Sequence, residues 1–206
     1  MLLEVKNLNK KFGSVSAANN INFKMNENEI IGVIGANGAG KTTFCNIITG
    51  YLKPDSGVIV YEGKNITQLN VQEIKNIGIH RSFQIPQVFE NLGVLENIII
   101  TELVAKNKQN SFFEEAYSKE NYQNAIKLLE KFSFDVDKFK DKTVKELPQG
   151  ARKVLDILIA IIGKPKVILL DEPTSGISTD EKNIIMKNIL RAIKEFNISV
   201  LFIEHD

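Results

Sequence analysis

Gly35-Ala36-Asn37-Gly38-Ala39-Gly40-Lys41-Thr42 follows the pattern G-x-x-x-x-G-K-[ST]. Residues of these types at this spacing suit the cradling of phosphate. Glycines let the backbone curl so that successive N–H groups face inward, and a helix opening after the loop adds its positive end. The Lys41 ammonium would reach the β- and γ-phosphates, and the Thr42 hydroxyl is a ligand for Mg²⁺. Thr43 offers a further hydroxyl to an outer phosphate. A second group lies far along the chain, where Val167-Ile168-Leu169-Leu170 runs into Asp171-Glu172. A carboxylate at the C-terminal end of an apolar strand stands beside the phosphate loop in doubly wound folds. Asp171 is therefore the expected Mg²⁺ ligand, through metal-bound water. Side chains alternate along a strand, so Glu172 faces away from Asp171 unless the chain has already turned there. It is placed to act as a general base on water near the γ-phosphate, which points to hydrolysis rather than nucleotide sensing.

These groups need a frame. Ile30 to Ile34 is apolar throughout and ends in glycine, which predicts a buried strand entering the loop. A helix is expected from about Lys41 to Thr49, stopped by Gly50 and the turn Pro54-Asp55-Ser56-Gly57. Val58 to Tyr61 reads as a strand and Glu62-Gly63-Lys64 as a turn. In the middle of the chain Ser111-Phe112-Phe113-Glu114 has the form of a capping box, and apolar residues recur at Tyr122, Ala125, Ile126, Leu129 and Phe132. A deeply buried helix is expected from about Gln149 to Ile162, then a strand from Val167 to Leu170. Ser178-Thr179-Asp180-Glu181 caps a last helix with an apolar face at Ile185, Ile189, Ala192, Ile193 and Phe196. Ser199 to Ile203 closes as a strand. Strands joined by helices imply a parallel sheet with right-handed crossovers. Gln84 to Ile162 reads as a mainly helical insertion between two portions of one α/β core.

Composition narrows the class further. The 206 residues are 43% hydrophobic and 25% charged, with a net charge of +1. This suits one compact domain, or a core with a small subdomain, and excludes collagen-like, disulfide-framework and disordered chains. Cys45 stands alone, so no internal disulfide forms. The charge balance argues against a dedicated nucleic-acid binder. With 28 isoleucines, 23 lysines and 21 asparagines, scattered lysines reflect a background bias. Runs such as Lys138 to Lys145 read as solvated surface. His80 and His205 are too few for a His-rich metal site. Met1 to Lys6 lacks the pattern of a secretory signal. The most apolar stretch, Val154 to Leu170, is broken by Asp156 and by Gly163-Lys164-Pro165-Lys166, and is too short to span a bilayer. A cytosolic location is expected.

Taken in order, the phosphate loop, Arg81-Ser82-Phe83-Gln84, Leu147-Pro148-Gln149-Gly150, Ile168 to Gly176 and Ile203-Glu204-His205-Asp206 resemble the motifs of an ATP-binding cassette (ABC) ATPase along nearly the whole chain. The resemblance implies a P-loop NTPase core with a mainly parallel sheet, an N-terminal antiparallel β portion and a helical subdomain. Residues 1–206 then form one cassette, with its core at about 1–84 and 163–206 and its helical part at about 85–162. Phe12 looks like the aromatic that stacks on adenine. Gln84 looks like the glutamine that touches Mg²⁺ or the attacking water and senses the membrane partner, and His205 like the histidine that contacts the γ-phosphate. Pro148, Gln149 and Gly150 match the signature segment, which faces the ATP of a second subunit in a head-to-tail dimer. The cofactors implied are ATP and Mg²⁺. The partners implied are a second ATPase subunit, identical or related, integral-membrane permeases and a solute-binding protein, with the chain peripheral on the inner membrane face.

The chain departs from the family pattern in places. The usual signature is L-S-G-G-Q. Here Pro148 removes the serine hydroxyl, while Gly150 is kept and proline suits the first turn of a helix. Ser178 stands where an aspartate is common. The chain also stops at Asp206, directly after His205, where family members generally continue, so a shortened form is expected. Arg81 to Asn97 and the L-P-x-G signature are most similar to ATPases of branched-chain amino-acid import. Urea and lipopolysaccharide transport ATPases share parts of the pattern. The alternatives are an ATPase of another such ABC system or a soluble non-transport ABC ATPase, but the second cassette or long heptad arms typical of the soluble proteins are not seen in the sequence.

Overall fold

The computed structural model describes residues 1–82, 88–105, 118–132, 134–175, 177 and 179–204, with only the backbone of 179–181. The expected capping box at 111–114 and the positions of Gln84, Ser178 and His205 lie outside the described residues. The chain divides into two compact units, 1–81 with 165–172 and 197–206, and 82–164 with 173–196. The segment 173–196, expected in the α/β core, groups instead with the helical part.

The first unit holds two sheets. One is antiparallel, in the order β2-β1-β4-β5, from β1 (Leu3–Phe12), β2 (Val15–Met25), β4 (Ser56–Tyr61) and β5 (Lys64–Asn65). β1 and β2 form a hairpin closed by the Phe12↔Val15 pair, with register shifts between Val5 and Lys11. Asn7 and Asn20 take left-handed backbone at φ 49 and 50 there. Asparagine tolerates that conformation and can also replace lost ladder bonds. Asn7 N–H donates to Asn22 Oδ1 at 3.0 Å and Asn20 N–H to Asn9 Oδ1 at 2.8 Å.

The other sheet has the order β3-β8-β7-β6, from β3 (Ile30–Ile34), β6 (Ile79–Ser82), β7 (Val167–Asp171) and β8 (Ser199–Glu204). β8 runs parallel to both β3 and β7. Every residue of β7 is buried, as a parallel strand covered on both faces requires. α1 (Lys41–Ile48) follows the phosphate loop, and α2 (Val71–Asn76) opens on a capping box between Asn70 and Glu73. Phe44, Cys45, Ile47 and Ile48 of α1 join Leu169, Leu201 and Ile203 in one core cluster with Leu3, Val5 and Ile59 of the antiparallel sheet. Burying a side chain such as Ile48 contributes roughly 1.5–3 kcal/mol, so the phosphate loop is anchored through its helix.

The second unit is helical: α3 (Val94–Ala105), α4 (Lys119–Lys131), α5 (Val136–Phe139), α6 (Gln149–Ile162) and α7 (Thr179–Glu195). Ser118 caps α4, its side chain accepting from Asn121 N–H at 3.2 Å. Ile185, Ile189, Ala192 and Ile193 of α7 are buried, as the apolar spacing predicts, and Phe196 stacks on Phe132 with ring centroids 6.0 Å apart. Two buried polar side chains are satisfied internally. Asn97 donates to the carbonyls of Phe89 and Gly93 and accepts from Phe89 N–H, while Ser82 Oγ donates to Asp156 Oδ2 at 2.5 Å.

Candidate nucleotide site

The register of the parallel sheet builds the site. Ile203 of β8 pairs with Val33 on one side and with Asp171 on the other. Asp171 therefore ends β7 two strand spacings, roughly 10 Å, from the end of β3, where the phosphate loop begins. All three strands point the same way, so loop and carboxylate share one edge.

The loop has the expected curl. Gly38 and Gly40 have φ of 80 and 88, and Ala39 N–H donates to Ala36 O at 3.1 Å. Gly40 is required twice over, because a Cβ there would lie 2.0 Å from the Ala17 carbonyl oxygen of β2. The same contact seats the β1–β2 hairpin against the loop. Residues 36–39 and Thr42 are exposed, whereas Lys41 is buried. Its Nζ donates to Ala36 O at 3.0 Å and also to Gly35 O, so the ammonium ties the loop closed from inside. Gly40 at the N-cap of α1 carries no side chain, leaving the positive helix end directed at the loop.

The chain has indeed turned at Glu172, whose φ is 48. Its N–H still donates to Ile203 O at 2.9 Å, so the turn follows the last sheet bond. A left-handed residue that is neither glycine nor asparagine is costly, by about 1–3 kcal/mol, and Glu62 and Lys164 share this conformation at φ 48 and 49, so it does not by itself mark a functional site. Phe12 at the hairpin tip is 48% exposed, leaving ring surface available for stacking. Lys10 Nζ lies 5.7 Å from the ring centroid and donates to Asp55 Oδ1 at 2.8 Å. Asp55 also accepts from Lys11 N–H at 2.7 Å, and these bonds hold its carboxyl below the usual range.

Two participants carry no role in the sequence reading. Arg81 of β6 donates through Nη2 to Asp171 Oδ2 and through Nη1 to Asn46 Oδ1 of α1, each at 2.5 Å. A basic side chain in a short strand of a buried sheet is the available sequence signal, since it must find a carboxylate. Cys45 is fully buried beside this pair, and desolvation pushes its thiol up to about 12.

In the second unit Pro148 occupies the N-cap of α6 rather than its first turn, and its carbonyl accepts from Arg152 N–H at 3.1 Å. Gln149 and Gly150 open that helix. A Cβ on Gly150 would meet Ile185 at 3.5 Å and Ile177 at 3.7 Å, which is ordinary contact. Packing alone does not demand this glycine.

The residues fit a shared metal. Among the described residues no group of three or more His, Cys, Asp or Glu side chains can hold one. One carboxylate and one hydroxyl suit Mg²⁺ that also takes phosphate oxygens and water.

A phosphate loop between strand and helix, with a carboxylate at the same parallel edge, defines a nucleoside-triphosphate-binding α/β protein. A family model described as ABC transporter matches residues 18–175. The chain is 34% identical over 208 residues to the probable branched-chain amino acid transport ATP-binding protein LivG of Methanocaldococcus jannaschii, covering 99% of this chain and 80% of that protein. It is 30% identical to the high-affinity branched-chain amino acid transport ATP-binding protein BraF of Pseudomonas aeruginosa, covering 100% and 82%. Among solved structures, a nucleotide-free ATP-binding cassette from an ABC transporter superposes with a TM-score of 0.80 at 32% identity, covering 99% of this chain and 81% of that one. A dimeric cassette in a post-hydrolysis state bound to ADP and Pi gives 0.81 at 25% identity, covering 100% and 88%. The chain belongs to the ABC transporter family, and it is an ATP-hydrolysing cassette.

The buried, protonated thiol gives a direct readout of the site's integrity. At pH 8 Cys45 is expected not to react with a disulfide reagent until the fold opens, and to react fully in denaturant. Rapid labelling of native protein would contradict the burial.

Proposed function

We propose that this chain binds MgATP at residues 35–43 and Asp171, hydrolyses it with Glu172 as the base, and powers branched-chain amino-acid import. The observation that carries the site reading is the shared partner Ile203, which brings Asp171 to the edge where the loop opens. Similarity over nearly the whole chain to two proteins named for branched-chain amino-acid transport supports the transport reading.

The chemistry follows from the groups present. Backbone N–H groups of residues 35–40 and the start of α1 take the phosphate oxygens. Lys41 exchanges its carbonyl partners at Gly35 and Ala36 for the β- and γ-phosphates, keeping a charge-assisted bond throughout. Thr43 adds a hydroxyl, and Phe12 stacks on the adenine ring. Mg²⁺, held by Thr42, Asp171 and Gln84, would neutralise phosphate charge. Glu172 orients the attacking water and accepts its proton, with His205 at the γ-phosphate. Pro148, Gln149 and Gly150 address the ATP of a second, identical or related, cassette. Backbone N–H groups at the start of α6 do this without the missing serine hydroxyl.

Partners supply the rest. Among the described residues no helix is long and apolar enough to cross a membrane, so permeation falls to separate permeases fed by a solute-binding protein. The chain would sit on the inner face of that membrane. Co-expression with the permeases of a branched-chain amino-acid system is expected to carry the chain into the membrane fraction and to make its ATPase respond to the loaded binding protein. A fully soluble chain with unresponsive turnover would remove the transport reading.

Two variants test the roles. Glu172→Gln keeps shape and hydrogen-bonding reach but not basicity. It should bind ATP like the parent, lose about 100-fold or more of its turnover and accumulate as a dimer in ATP. Parental turnover would show that another group is the base. Gly150→Ala should fold at least as well, since alanine favours a helix by about 1 kcal/mol over glycine and its Cβ would make only ordinary contact with Ile185 and Ile177. If the backbone there meets phosphate, turnover should fall about tenfold at unchanged melting temperature. Full turnover would remove Gly150 from the site.

A further inference from the structure

The side chain of Arg152, one turn into α6, folds back over the start of that helix. Its Nε donates to Leu147 O at 3.0 Å and its Nη2 to Lys145 O, while Nη1 lies 3.9 Å from Glu90 Oε1. Lys145 N–H in turn donates to Glu90 O at 3.0 Å, and Val144 N–H to Leu92 O at 3.0 Å. The stretches 90–92 and 144–147 and the start of α6 are thus closed into one bonded ring through a single guanidinium. Helix stability does not account for the placement, because a cation near the positive end of a helix is unfavourable. α6 also has no side-chain cap and no acidic residue in its first turn. Glu90 is 62% exposed and its ion pair is long, so that contact adds little. The weight falls on the two carbonyls, which a forked guanidinium reaches together and an ammonium does not.

We propose that Arg152 is a positioning residue for the segment Pro148 to Gly150. It fixes the approach from Lys145 to Leu147, so that the first N–H groups of α6 stand ready for the ATP of the second cassette. Pro148 brings neither a hydroxyl nor a cap, so the contact across the dimer falls on backbone groups. Backbone donors favour a developing phosphate contact only as well as they are held in advance. Arg152 supplies that hold from outside the helix and meets no nucleotide itself. The inference rests on the reading of residues 148–150 as the segment that addresses the second ATP.

The test uses the whole chain carrying Glu172→Gln, with dimerisation in MgATP followed by light scattering and ADP binding to the monomer by calorimetry. Adding Arg152→Met should leave ADP affinity within about twofold of the parent, since the phosphate loop draws on none of these bonds. Dimerisation should need about tenfold more protein, the factor that loss of one charge-assisted hydrogen bond carries. The melting temperature should stay within about 2 °C, because relief of the cation at the helix start offsets the lost bonds. Arg152→Lys keeps the charge and most of the stem but not the fork, and should lose dimerisation by a similar factor. Parental dimerisation in Arg152→Lys would make charge rather than geometry the cause and overturn the proposal. Parental dimerisation in folded Arg152→Met would overturn it as well. So would a loss of ADP affinity as large as the loss of dimerisation, which would mark general damage to the fold. Should Arg152→Met fail to fold, Arg152→Lys carries the test alone. If the chain with Glu172→Gln alone stays monomeric in MgATP, the reading of residues 148–150 fails instead.

Discussion

The nucleotide site depends on the hydrogen-bond register that β8 imposes on both its neighbours. Val33 and Asp171 face each other across Ile203, and the phosphate loop leaves β3 two residues after Val33. A slip of one residue in β7 would turn every side chain of that strand to the opposite face, Asp171 included. The slip is resisted by apolar burial, because Val167 to Leu170 and Val200 to Ile203 are almost wholly removed from water. Hydrophobic packing thus fixes the position of the carboxylate that ends the strand. Position at this edge is a consequence of the core.

Left-handed backbone occurs at many turns, Glu62 and Lys164 among them, and serves the hairpin and the edge of the parallel sheet differently. At Asn7 and Asn20 it accommodates the register shifts of a hairpin, and neighbouring asparagine side chains take up the displaced N–H groups. At Gly38, Gly40 and Glu172 it lies where ligand chemistry is expected. Glycine meets this demand without a Cβ, and at Gly40 the nearness of the Ala17 carbonyl leaves no room for one. Glu172 has no such excuse. An acidic residue stands where glycine or asparagine would be more comfortable.

Much of this was legible in the sequence because the signals are local. The loop pattern, the apolar runs Ile30 to Ile34 and Val167 to Leu170, and Gly50 as a helix stop each carry their own physics within a few residues. α1 ends at Ile48 with Gly50 just beyond, and α6 spans Gln149 to Ile162 as the pattern indicates. Contacts between distant residues were not legible. Arg81 and Asp171 are 90 positions apart, and nothing near either residue names the other. The Gly40–Ala17 contact has the same character. α3, reading VLENIIITELVA, is apolar on nearly every side, so its spacing gives no clear face to read. The grouping of 173–196 with the helical unit depends on where the buried face of α7 finds its partners. Periodicity shows that such a face exists but not what covers it.

The charges of the site share one property that bears on how it works. Lys41 is bonded to the loop's own carbonyls at Gly35 and Ala36, and Asp171 to Arg81. Both of these charged groups therefore already have an internal partner. Buried charges without partners would be expensive, by several kcal/mol per ion, so an empty site of bare charges would not hold its shape. Under the proposed roles, nucleotide and metal would exchange partners with these groups rather than fill a vacancy. Affinity would then be a difference between two sets of good bonds. A cassette that must release ADP and phosphate in every cycle is better served by that arrangement than by a site that binds as tightly as its charges allow.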